Sequence, residues 1–434
     1  MRRLVVAFLS MLTAVPASGQ TRPDTGVTVI RAGRVFDSER GVMLPARDIL
    51  VRNRLIDTIA ERLPVPANAR VIDLSRYTVL PGLIDSHTHL LYLEDLGPGL
   101  TLEGIKAVAI EGTALRALHG AARARTFLAA GITTVRDLGN SGRFGDVALR
   151  NAINDGSVDG PRMIVSGPGL SPEGGQFPGL QPQFRAIAEE EYQIIRSVED
   201  ARAAVRENVT YGATVIKIYS NNTPNPSSLS IAEMQAIVDE ARRHNVKVTA
   251  HATSDAAVWR AVQAGVDGID HGYQIADSTL ALMKQKGVFL VPTDGDTATM
   301  RSFIAGSRPG QAPPTTQLIM QQVSGSHDRL RRALAAGVAI AAGSDMYINL
   351  HMPQGEAARR VLFAYSEAGM PNAEILRAAT WHASRLLGRE NRLGVLKSRA
   401  LADIIAVEGD PVSDIRVLER IRFVMKDGTV YHSR

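Results

Sequence analysis

Between residues 27 and 78 apolar and polar positions alternate in short runs broken by turn residues, as in Val27-Thr28-Val29-Ile30, Asp48-Ile49-Leu50-Val51 and Arg70-Val71-Ile72-Asp73. A period of two marks strands with one buried face. The pattern returns at the far end, in Ala402-Asp403-Ile404-Ile405-Ala406-Val407, in Ile421-Arg422-Phe423-Val424-Met425 and, after the turn Lys426-Asp427-Gly428, in Thr429-Val430-Tyr431. Two β-rich ends flanking a long middle predict a small β-sandwich domain built from both termini, over residues 20–79 and 389–434.

Residues 80–388 repeat a different unit: a run of helical period, usually ended by glycine, then an apolar strand that stops at a polar residue. Copies are Ala130-Gly131-Ile132-Thr133-Thr134-Val135-Arg136-Asp137, Tyr211-Gly212-Ala213-Thr214-Val215-Ile216-Lys217, Ala264-Gly265-Val266-Asp267-Gly268-Ile269-Asp270-His271 and Lys286-Gly287-Val288-Phe289-Leu290-Val291. Ala336-Gly337-Val338, leading to Asp345, is another, and His244-Asn245-Val246-Lys247-Val248-Thr249-Ala250-His251 fits without a glycine. With Thr78-Val79-Leu80 before His87, and Arg162-Met163-Ile164-Val165, the strands number eight. Strands alternating with helices predict an α/β fold, a (β/α)8 TIM barrel, with a doubly wound open sheet as the other arrangement. Two stretches rich in glycine and proline, 167–189 and 293–316, read as long loops after strand ends, where lids and binding loops lie.

Composition adds limits. With 434 residues, 45% of them hydrophobic and 21% charged, the chain is long enough for a large core and an accessory domain. A formal net charge of +5 without a concentrated basic stripe argues against nucleic acid as a partner. Arg2 and Arg3, an apolar run over 4–15 and the small residues Ala17-Ser18-Gly19 read as a secretory signal at 1–19. The expected address is periplasmic or secreted. The apolar run is well short of the ~20 residues of a membrane anchor. The absence of cysteine excludes disulfides and thiolate ligands, so a metal here relies on histidine, carboxylate or modified lysine.

The chemistry lies in what ends the strands. His87 and His89, Lys217, His251, His271 and Asp345 close strands one, four, five, six and eight. Residues two apart on a strand share a face, so His87 and His89 can chelate one ion. Imidazole and carboxylate donors suit zinc or manganese. A lone histidine at such a place is ordinarily a hydrogen-bonded core residue; six candidates at one end of the strands are a metal site. Lys217, in Val215-Ile216-Lys217-Ile218, resists a bland reading because a buried unpaired ammonium is costly. His119, His244 and His382 fall in helical stretches, and His351, in the loop after Asp345, is a candidate substrate contact.

The chain resembles the amidohydrolase superfamily, in the branch of imidazolonepropionase-like proteins and Xaa-Pro or Xaa-Arg dipeptidases. The resemblance rests on Pro81-Gly82-Leu83-Ile84-Asp85-Ser86-His87-Thr88-His89, Thr249-Ala250-His251-Ala252, Gly268-Ile269-Asp270-His271-Gly272, Ala342-Gly343-Ser344-Asp345 and Leu401-Ala402-Asp403-Ile404. It implies two divalent metal ions and a Lys217 carboxylated by carbon dioxide to a bridging carbamate. One ion would take His87, His89, Lys217 and Asp345, the other Lys217, His251 and His271. It further implies hydrolysis of an amide in a dipeptide or an N-acyl amino acid, with Asp345 moving the proton and Tyr219 steadying the oxyanion. Homo-oligomers are common in this branch. Where relatives often carry Gly-Gly-His this chain has Gly174-Gly175-Gln176, and Gln176 can hydrogen-bond substrate but not carry a proton. Lactone, carbamate or phosphotriester hydrolysis on the same site is the alternative, and a metal-binding protein without turnover is the reading from another class.

Overall fold

The structure is a computed structural model that describes residues 26–97, 100–177, 179–222 and 225–433. The signal expected at 1–19 lies outside them.

The strands of the two ends join one eight-stranded sheet. Its order is Thr429–Ser433, Ile421–Lys426, Ile404–Val407, Arg70–Pro81, Thr28–Asp37, Arg47–Arg52 and Leu55–Ala60, with Val42–Leu44 paired to Thr28–Asp37. In Ile404–Val407 every residue is buried. Ile405 and Val407 pack into the large central core, while Ile404 and Ala406 pack into a second core with Ile30, Ile49 and Phe423. Alternation along a strand thus ties the sheet to the rest of the molecule on one face and closes its own core on the other.

The middle carries parallel strands with helices between them, which fits a TIM-barrel layout. Leu83–Thr88, Ile132–Asp137 and Arg162–Val165 form one ladder. Tyr192–Ile194, Gly169–Ser171, Val215–Tyr219, Lys247–Ala252, Gly268–His271 and Phe289–Val291 form another. Among the described residues the two ladders do not merge into one ring. A few hydrogen bonds cross the seams: Thr214 N–H donates to Val165 O at 2.7 Å, and Ser86 N–H to Ala342 O at 2.8 Å. Leu83–Thr88 and Ile132–Asp137 are buried at every position, as parallel strands covered on both faces must be.

The helices show why their segments fold as they do. Ile231–Arg243 opens on a capping box in which Ser230 and Glu233 satisfy each other's backbone N–H groups. It buries Met234, Ile237, Val238 and Ala241, one stripe at helical spacing. Asp255–Ala264 is capped by Ser254 and ends at Gly265, whose φ of 90° suits glycine alone.

Four expectations need correction. Thr78-Val79-Leu80 belongs to the terminal sheet, inside Arg70–Pro81, and the strand leading to His87 is Leu83–Thr88. The eighth strand is reduced to a bridge between Ile340 and Leu290, because an alanine-rich run offers little side chain to lock a ladder. About half of the stretch 293–316 is helical: Asp296 caps Thr297–Ser307 by accepting from Thr299 N–H at 2.8 Å. The stretch 167–189 contains the strand Gly169–Ser171 and the start of the helix Arg185–Glu191.

Candidate active site

The ends of the parallel strands meet at one cavity of about 410 Å³, whose walls include His87, His89, Lys217, His251, His271 and Asp345. His87 is delivered by Leu83–Thr88 and fixed from below. Asp85 accepts its backbone N–H at 3.1 Å and that of Ser344 at 2.9 Å, joining the segment before Asp345 to the first strand. Asp345 N–H in turn donates to His87 O at 2.8 Å. Gly343 makes this approach possible. A Cβ there would lie 2.4 Å from Val291 Cγ1 and 2.9 Å from His87 Cβ. Gly343→Ala is therefore expected to lower the melting temperature, since overpacking costs about 1–3 kcal/mol. A thermal melt equal to the parent's would show that the two segments have slack.

Three donor atoms converge. His87 Nε2 lies 3.2 Å from His89 Nε2, and Asp345 Oδ1 lies 3.4 Å from the first and 3.1 Å from the second. His89 Nδ1 stands 3.0 Å from the carbonyl of Gly139, an arrangement that puts a proton on Nδ1 and turns Nε2 toward His87 and Asp345. Two ring nitrogens and a carboxylate oxygen crowded on one point repel unless a cation sits among them. The set fits a divalent metal.

Burial pushes the His87 imidazole down to about 4 and that of His251 to about 3, and holds His271 well below the usual histidine range. His89 moves the other way: burial opposes its charge, but the carboxylate of Asp345 beside it prevails. Asp345 stays well below the carboxylate range, because the three histidines around it outweigh its burial.

His251 and His271 stand with ring centroids 4.6 Å apart, and His271 Nδ1 is 3.7 Å from Asp345 Oδ2. Three site residues have left-handed backbones: His271 at φ 71°, Thr293 at 58° and Asp345 at 50°. For a β-branched residue such as Thr293 this is strained, and its hydroxyl is aimed at His271 Nδ1, 2.9 Å away. Arg329, buried, donates to His271 O at 2.5 Å and pairs with Asp294, which fixes the turn.

Lys217 is 1% exposed and its Nζ donates to Asp270 Oδ2 at 2.6 Å. Burial lowers its ammonium below the ordinary lysine range. Asp270 also accepts from Arg136 Nη2 at 3.0 Å and lies 3.3 Å from His87 Nδ1. Asp270, Arg136 and Asp85 were not singled out by sequence reasoning. The signal was present: a charge inside an apolar strand is what flagged Lys217, and Arg136 and Asp270 stand in the same situation.

Of the candidate substrate contacts, Tyr219 and Gln176 line the cavity. Gly169 lets the Tyr219 ring in; a Cβ there would lie 2.4 Å from it. The Tyr219 hydroxyl donates to Asn140 Oδ1 at 3.4 Å. His351 is not brought to the cavity. It is exposed, held in its own turn by a hydrogen bond from its N–H to Asn349 Oδ1. The aromatic residues Tyr92, Phe177, Tyr192, Tyr273 and Tyr347 complete the walls, and sequence reasoning had named none of them.

No helix among the described residues is long and apolar enough to cross a membrane. Among curated proteins the chain is similar to ochratoxinase of Aspergillus niger, 29% identical over 438 residues, which cover 93% of this chain and 86% of that one. Among solved structures it is similar to a Xaa-Pro dipeptidase with methionine bound in its active site, with 28% identity and a TM-score of 0.79 over 94% of this chain and 100% of the other. A prolidase complexed with N-methylphosphonate-L-proline is similar at 30% identity and a TM-score of 0.79, with the same coverage. The family model described as "Amidohydrolase family" matches residues 78–431, which takes in every donor named above. This chain belongs to the amidohydrolase family and is a hydrolase of carbon–nitrogen bonds.

Proposed function

We propose that the chain cleaves the amide bond of a dipeptide or an N-acyl amino acid, using two divalent ions, zinc foremost, and a Lys217 carboxylated by carbon dioxide. The observation that carries this reading is the convergence of His87 Nε2, His89 Nε2 and Asp345 Oδ1 within 3.1 to 3.4 Å of one another. Those three would hold one ion with Lys217; His251, His271 and Lys217 would hold the other. When bound, the ions supply the charge that lowers the pKa of water and polarises a carbonyl oxygen.

The chain's own residues do the rest. Asp345 accepts a proton from the attacking water at a carboxylate oxygen and passes it to the leaving nitrogen, which departs as a neutral amine. Tyr219 offers its hydroxyl to the acyl oxygen, and Gln176 its amide to a polar end of the substrate. The aromatic walls take up apolar substrate surface and keep bulk water from the reacting atoms. The names of the relatives, a dipeptidase and a prolidase, agree with an amide substrate.

The full chain, reconstituted with zinc, is expected to hold about two equivalents of metal and to turn over members of a panel of dipeptides and N-acyl amino acids. Metal without turnover of any amide, or turnover confined to lactones and phosphotriesters, would overturn the reading.

We infer further that residues 80–388 form the catalytic barrel, closed through its sparsely hydrogen-bonded seams, with 20–79 and 389–434 as an accessory sandwich. On the same footing, residues 1–19 direct the chain to the periplasm or outside, and the chains assemble as a homo-oligomer.

A further inference from the structure

The cavity holds a carboxylate that the chemistry above does not use. Glu94 is half-buried and faces the cavity beside Tyr92 and Tyr347. It is held in register with the histidine cluster. Its N–H donates to Tyr347 O at 2.7 Å, the strand Glu94–Asp95 pairs with Ile348–Asn349, and the Tyr347 ring meets the His89 ring at 6.0 Å. The Tyr92 hydroxyl donates to one Glu94 oxygen. Among the described residues Glu94 forms no ion pair.

No lysine or arginine of the lining pairs with it. Lys217 is the only lysine or arginine among the described residues that line the cavity, and Asp270 holds it. Burial, with Glu103 and Asp345 nearby, keeps the Glu94 carboxyl above the usual carboxylate range. A carboxylate partly removed from water with a single hydroxyl as partner is costly, and a cationic ligand group offsets that cost. The tyrosine rings beside it add cation–π attraction. A substrate carboxylate placed at this wall would meet repulsion instead.

We propose that Glu94 is a specificity residue that anchors an ammonium group carried by the substrate. The inference rests on the amide-hydrolase reading of the same site, and narrows its two substrate classes to peptides bearing a free amine, against N-acyl amino acids that lack one. The ammonium has two sources, the α-amine of the first residue or a basic side chain.

The test compares Ala-Phe, N-acetyl-Ala-Phe and N-acetyl-Lys-Phe on the zinc-reconstituted full chain and on its Glu94→Gln variant. The parent is expected to favour an amine-bearing peptide over N-acetyl-Ala-Phe in kcat/KM. Glu94→Gln is expected to shrink that ratio by about ten- to a hundredfold, mainly through KM, the size of one charge-assisted hydrogen bond. Ala-Phe leading N-acetyl-Lys-Phe assigns the α-amine, and the reverse assigns the side chain. A parent preference for N-acetyl-Ala-Phe over both, or a ratio unchanged in the variant, overturns the role of Glu94. Calorimetric binding of the same three peptides to metal-free protein, parent and variant, reads the anchor without turnover. If no peptide is cleaved, the amide reading falls, while weaker binding of the amine-bearing peptides by the variant still decides for Glu94, and equal binding decides against it.

Discussion

Lys217→Ala is expected to lose at least one equivalent of bound metal and nearly all activity, and to recover part of both when a short carboxylic acid is added. Lys217 and Asp270 are 1% and 0% exposed, and removing the ammonium leaves Asp270 with Arg136 and the Thr249 hydroxyl. Breaking a buried pair costs about 3–5 kcal/mol when the remaining charge is stranded. Here Arg136, 3.0 Å away, limits the loss, so the variant is expected to fold with a lowered melting temperature. Metal loss is a separate effect. If Lys217 acts as a carbamate, the substitution removes two oxygens from between the ions, and an acetate or propionate fits the space the side chain vacates. Metal analysis after gel filtration, with and without the acid, separates the two effects. Full metal content in the variant would refute the bridging role.

Asp345→Asn keeps the shape of the side chain and one oxygen near His89 Nε2, but an amide cannot accept the proton. The variant is expected to keep much of its metal and to lose about 10²- to 10⁴-fold in kcat, the usual worth of a positioned proton acceptor. The loss belongs in kcat rather than KM, because the interaction is made only as the reaction proceeds. Steady-state kinetics beside metal analysis decide this. A rate within a few-fold of the parent's would remove Asp345 from proton transfer.

Much of the site was legible because strand ends are legible. An apolar run that stops at histidine, lysine or aspartate marks both an element boundary and a side chain held at the rim. His87, His89, Lys217, His251, His271 and Asp345 were found this way, and the cavity has all six on its walls. The misplacements have physical causes. Arg70–Pro81 and Leu83–Thr88 are parted by Gly82 alone, and hydrophobicity does not say which of two adjacent runs enters which sheet. Glycine and proline in 293–316 hid the helix Thr297–Ser307, whose start depends on the Asp296 cap. His351 looked placed by proximity to Asp345 in sequence, but a turn with φ 56° carries it to the surface. Glu94 was illegible because its position depends on pairing with Ile348–Asn349, a contact made across most of the chain.

The terminal sheet bears on the order in which the molecule assembles. Arg70–Pro81, one residue ahead of the strand that carries His87, finds an edge partner in Ile404–Val407, from the far end of the sequence. During synthesis the ribosome releases the earlier strand long before the later one exists. Until then that edge stands open, with the side of Thr78 to Pro81 that Ile404–Val407 later covers left without a partner, a template for strand addition by neighbouring chains. Contacts so distant in sequence form slowly. The histidine cluster is therefore expected to mature only after the last strands dock. Shortening the chain before Ile404 should yield aggregates instead of a soluble protein with an idle site.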